Sequence, residues 1–127
     1  SYMGHCEIVE MLLNVEGINV NASNKDGWTA LIWASHKGHK EIVEMLLKVE
    51  GINVNATNKN GDTALIWTSY MGHCEIVEML LNVEGIDVNS TNKNGSTALI
   101  YASFYGHKEI VTMIEMRKDI INSCFVM

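Results

Sequence analysis

Proline is absent from this 127-residue chain, so no helix here can open on the residue whose backbone is preset for that place. No apolar run approaches the ~20 residues of a membrane span, and no signal-peptide pattern opens the sequence. Cations are scarce. Nine Lys and Arg against 15 Asp and Glu leave a net charge of −6, whereas a nucleic-acid binder carries a basic face. Nucleic acid is therefore excluded as a partner, and a soluble, cytoplasmic protein is expected.

What the chain has in abundance is itself. Residues 27–60 and 61–94 align without gaps and agree at 26 of 34 positions. The first 26 residues agree with 69–94 at 22 positions, and Gly95 opens a further copy. Such periodicity means stacked units, each touching only its neighbours. It also separates two of the three cysteines. Cys6 and Cys74 share a column two units apart, roughly 16–20 Å if units stack at the spacing of packed helices. A disulfide needs Cα atoms within about 7 Å, so free thiols in a reducing compartment are expected.

Each copy reads as two short helices and a polar loop. In the second helix Ile42, Met45, Leu46 and Val49 recur at helical spacing with charges opposite. The first helix follows Thr29, Thr63 or Thr97 as N-cap and stops at Gly38, Gly72 or Gly106. Beyond the second helix, alternating Ile52 and Val54 run into the Asn- and Gly-rich stretch 55–61, which predicts a hairpin-like finger.

The ordered set Asn-Gly-Asp-Thr-Ala-Leu at 60–65, Gly72-His73, Glu75-Ile76-Val77-Glu78 with Leu80-Leu81, and Asp87-Val88-Asn89 resembles the ankyrin-repeat family. The period of 34 also fits tetratricopeptide repeats, but those lack the long Asn/Gly loop and the Gly-His turn. The resemblance implies an all-α ankyrin-repeat solenoid of helix-turn-helix units with short β-hairpin fingers. Over residues 1–127 it implies a single domain: a partial repeat at 1–26, repeats at 27–60 and 61–94, and a C-terminal capping repeat at 95–127. The family usually opens its first helix on Thr-Pro-Leu-His, whereas this chain has Thr-Ala-Leu-Ile at 29–32, 63–66 and 97–100. Ile32, Ile66 and Ile100 are expected to replace the polar tie of that histidine by apolar packing.

The ends depart from the repeat. Ser1 shares the column of Ser35 and Ser69, so the chain is expected to be the C-terminal part of a longer array. Near the other end Glu115 replaces Leu47 and Leu81, and Asp119 replaces Gly51 and Gly85. A terminal repeat needs a polar outer side, and 113–123 is expected to form a capping helix.

Only three columns of the best-aligned stretch differ in every copy: Trp28/Asp62/Ser96, His36/Tyr70/Phe104 and Lys37/Met71/Tyr105. The partial copy adds Tyr2 and Met3. By resemblance these positions lie on the concave face that contacts protein partners, and aromatic and Met side chains are enriched at interfaces. The expected function is thus a non-catalytic protein-binding module, with no enzyme activity and no cofactor. Alternatives are a homodimer formed through an apolar face around Ile8, Met11 and Leu12, and a spacer for a catalytic domain of the parent protein.

Other features read as structure. His5-Cys6 and His73-Cys74 sit in separate units, where a metal needs about four converging ligands, so no metal is expected. Glu41 and Glu44 read as i, i+3 carboxylates on the outer side of a helix, and no catalytic site is expected there. Trp33, Trp67 and Tyr101 recur in register as packing residues, and the Asn-X-Ser/Thr triplets at 21–23, 55–57 and 89–91 belong to the repeated loop. The last four residues, Cys124-Phe125-Val126-Met127, fit a prenylation signal. An apolar helix stripe through Ile120, Ile121, Cys124 and Phe125 accounts for them as well, so no membrane association is expected unless Cys124 is modified.

Overall fold

The fold was analysed in a computed structural model, which describes Met11 and residues 19–126, with side chains through Lys118. Six helices are present among the described residues: α1 (Ala30–Lys37), α2 (Lys40–Leu47), α3 (Ala64–Met71), α4 (Cys74–Leu81), α5 (Ala98–Phe104) and α6 (Lys108–Val126). Helices α1, α3 and α5 pack side by side in one row, and α2, α4 and α6 form a second row behind it. The all-α repeat solenoid expected from the sequence is the observed architecture.

Helix boundaries follow side-chain chemistry. The hydroxyls of Thr29, Thr63 and Thr97 accept the backbone N–H three residues on, at 3.1–3.2 Å, which satisfies a donor the helix leaves free at its start. Gly38 and Gly72 close α1 and α3 with φ of 77° and 83°, the left-handed turn that lets α2 and α4 fold back. The core between the rows is the apolar stripe of each second helix (Ile42, Val43, Leu46; Ile76, Val77, Leu80; Ile110, Ile114) set against Leu31, Ala34 and Leu65.

Between units, the outer loops are joined by asparagine. The Asn21 amide donates to the Gly51 carbonyl (2.8 Å) and accepts from the Asn53 N–H (2.8 Å). Asn55 repeats both bonds one unit on, with Gly85 (2.9 Å) and Asp87 (2.8 Å). An amide carries donor and acceptor on two separate atoms of one planar group, and so can bracket a neighbouring backbone.

Three sequence expectations change on contact with the structure. The fingers are turns: among the described residues the single β-bridge is Ser23 with Thr29. The Asn58 side chain takes the N–H groups of Asn60 and Asp62 (2.9 and 3.0 Å) that a hairpin ladder would use. Second, 113–123 is helical as expected, but within one longer helix, α6, which starts at Lys108 and runs unbroken for 19 residues. Third, Ile32 and Ile66 are buried as expected, but Ile100 is exposed, since no described unit follows it.

Candidate functional site: an aromatic strip along the first-helix row

The finger ends and the last turns of the first helices lie next to each other in the fold, because each Thr N-cap starts a helix of only two turns. Side chains from successive units therefore meet ring to ring. Trp28 lies 5.3 Å from His36 and 5.3 Å from Trp67, and His36 stands edge-on to Trp67 at 4.4 Å. Trp67 meets Tyr70 at 5.6 Å, Tyr70 meets Tyr101 at 5.3 Å and Tyr105 at 4.8 Å, and Tyr105 meets Phe104 at 4.9 Å. Nearly all these pairs are T-shaped, the arrangement that sets a positive ring edge against a negative ring face. The result is one continuous aromatic strip crossing three units.

The variable columns divide by exposure. Tyr70, Met71, Phe104, Tyr105 and Lys37 are exposed, while Trp28, His36 and Ser96 are half-buried. Asp62 is buried, and its carboxylate accepts from the Asn92 amide at 2.9 Å. Tyr2 and Met3 lie outside the described residues, as do Cys6, Ile8 and Leu12; Met11 is exposed. Cys124 lies beyond the described side chains.

Sequence reasoning left Trp67 and Tyr101 out of the strip and assigned them to packing between repeats. They do pack there, Trp67 on Trp28 and His36, and Tyr101 on Tyr70, yet they also link the variable residues to one another. The available signal was spacing: Trp67 precedes Tyr70 by three positions, which puts both on one side of α3. Trp33, in the same column, meets His39 at 5.2 Å.

Electrostatics at the strip are tuned by neighbours. Burial, then Lys37 and His73, holds the His36 imidazole below its ordinary pKa. The hydrogen bond to Tyr70 raises the Tyr105 phenol, with burial adding to it. On the opposite row, burial and then Glu109 push the Cys74 thiol up, which keeps it protonated and a poor nucleophile. His73 and His107 are occupied in structure: each Nε2 lies 3.1 Å from a backbone carbonyl of the preceding unit, His36 and Tyr70 respectively. The two imidazoles thus tie successive units together.

The His36 shift carries a pH signature. A base whose folded pKa is lowered binds fewer protons folded than unfolded. Its neutral form supports the fold fully above the ordinary value of 6.5, and stability is lost as pH falls below that. The thermal midpoint of the native chain should fall more steeply between pH 7 and pH 5 than that of His36→Asn, measured by circular dichroism; parallel curves would refute the assignment.

The repeat geometry and the recurring Thr N-cap, Gly-His turn and Asn-bracketed loop decide the family. A model of ankyrin repeats (three copies) matches residues 1–92 and 50–122. The chain belongs to the ankyrin-repeat family. No curated protein matches it. Ankyrin repeats are in general protein–protein interaction modules and typically non-catalytic. In this ankyrin array no described helix is long and apolar enough to cross a membrane.

Proposed function

We propose that this ankyrin array is a non-catalytic module that binds another protein through its first-helix and finger face. One observation carries the reading. Where the copies differ most they place Tyr70, Met71, Phe104 and Tyr105, all exposed, with the three aromatic ones joined ring to ring through Tyr105. Phe104 is 78% exposed; a free surface gains nothing from a bare phenyl ring, whereas burying one at an interface is worth about 1.5–3 kcal/mol. Positions that scramble between duplicates would drift to small or charged residues if only solvent faced them. The raised Cys74 thiol and the two carbonyl-bound histidines leave no activated nucleophile among them, in keeping with a binding role.

Replacing Tyr70, Met71, Phe104 and Tyr105 together by Ala is the direct test. The expected result is loss of co-purifying protein from an extract of the source cell, with affinity for an isolated partner down at least about tenfold, since a few aromatic anchors usually dominate an interface. The ring contacts of Tyr70 and Tyr105 are lost as well, so the melting temperature should fall, and circular dichroism checks that the variant is folded at the temperature of the binding assay. Unchanged capture at unchanged affinity would place the binding face elsewhere.

A further inference from the structure

Resting on the reading of this face as the binding surface, we propose that the pocket between Asp62 and the rings of Trp67, Tyr70 and Tyr101 receives a cationic side-chain head of the partner, a guanidinium or an ammonium.

The pocket has a volume of about 130 Å³ and is lined by Asp62, Ile66, Trp67, Tyr70 and Tyr101. Its aromatic walls stand nearly perpendicular to one another, Trp67 to Tyr70 at 74° and Tyr70 to Tyr101 at 80°. The recess is thus walled by three aromatic rings and one carboxylate. Asp62 is only 8% exposed. Its Oδ1 accepts from the Asn92 amide at 2.9 Å and its Oδ2 from the Asn58 amide at 3.5 Å. The same Asn92 amide reaches the Tyr101 hydroxyl at 2.9 Å, which ties the pocket's acid to its wall.

What the site lacks is charge compensation. A carboxylate offers about four lone-pair positions, and here two neutral amides occupy two of them. Lys40 pairs with Glu75 and Lys48 with Glu44, both on the far row, and Asp62 takes part in neither. A carboxylate removed from water without a counter-ion is costly, and an incoming cation would relieve that cost. The ring faces favour the same sign, because their quadrupoles attract positive charge. An anion would be repelled by both features. A neutral apolar group would finish desolvating Asp62 and give nothing in return.

The pocket occurs once among the described units. The column that supplies Asp62 supplies Trp28 in the preceding copy and Ser96 in the following one. Trp28 carries no charge and packs its own ring on Trp67; Ser96 has no charge to offer. The change of residue in this column thus places a single anionic, aromatic-walled recess within the strip.

The test uses the native chain and three small probes: the acetylated amides of arginine, lysine and citrulline, the last nearly isosteric with arginine but neutral. The readout is the indole N–H resonance of Trp67, assigned with Trp67→Phe. Arginine amide, lysine amide or both should shift it saturably, in the millimolar range expected of one small group, and their ratio identifies the head preferred. Citrulline amide should bind at least about tenfold more weakly, and Asp62→Asn should lose a similar factor toward the cations. Equal binding of citrulline and arginine, or no saturation by about 100 mM, would overturn the proposal on native protein alone, even if Asp62→Asn failed to fold. Should the cations not bind while the four-residue alanine variant still loses its partner, the cation pocket falls and the binding face stands.

Discussion

Gly72→Ala is expected to destabilise the protein by about 2–4 kcal/mol, from backbone strain at a left-handed residue together with overpacking. Gly72 closes α3 at φ 83°, and a Cβ there would lie 2.7 Å from Cε1 of His107 in the next unit. The ring cannot simply swing away, because its Nε2 is bonded to the Tyr70 carbonyl two residues before the glycine. Turn, ring and carbonyl thus form one inter-unit joint. Gly106→Ala is the internal control: φ is 74°, but nothing lies within 4 Å of the added methyl. It should cost only the conformational part, about 1–2 kcal/mol. Urea denaturation of both variants checks the difference, and equal losses would show that the His107 contact contributes nothing.

Ile66→Ala should cost about 2–5 kcal/mol, the range for removing a fully buried aliphatic side chain, whereas Ile100→Ala should stay within about 0.5 kcal/mol as a surface change does. The two residues share a column and a sequence context, Thr-Ala-Leu-Ile. Ile66 is 2% exposed, in the row where α3 meets α5, while Ile100 is 49% exposed on α5. Chemical denaturation of the pair would therefore measure what one adjoining unit contributes at a single side chain. Comparable losses would mean that Ile66 is stabilised within its own unit.

That contrast also marks how far the sequence could be read. The helices, their Thr caps, the Gly stops of α1 and α3, and the row of buried Ile, Val and Leu are all legible, because each is specified by residues within one turn of each other; α5 ends one residue sooner, with Tyr105 and not Gly106 as its C-cap. Ile100 was misjudged because burial in a stack depends on what stands beside the unit, which no local pattern encodes. The fingers looked like hairpins because Ile52 and Val54 alternate; the competing claim of the Asn58 side chain on the backbone N–H groups shows only once the loop has closed. At the candidate site, variability between copies pointed to Tyr70, Met71, Phe104 and Tyr105. It could not point to Trp67 and Tyr101, whose column changes little, and it grouped Asp62 with exposed positions although the carboxylate lies under the rings.

The asparagine brackets have a genetic corollary. Asn21 grips Gly51 and Asn53, and Asn55 grips Gly85 and Asp87, always from one column to the same pair of columns 30 and 32 residues on. Excising residues 27–60 by unequal crossover would bring Asn21 opposite Gly85 and Asp87, with Asp87 standing in for Asn53 through its backbone alone. No donor or acceptor at the splice would be orphaned. Duplication would be equally silent, so such a gene can lengthen or shorten its product by whole copies while each remaining unit keeps its variable-column residues in line.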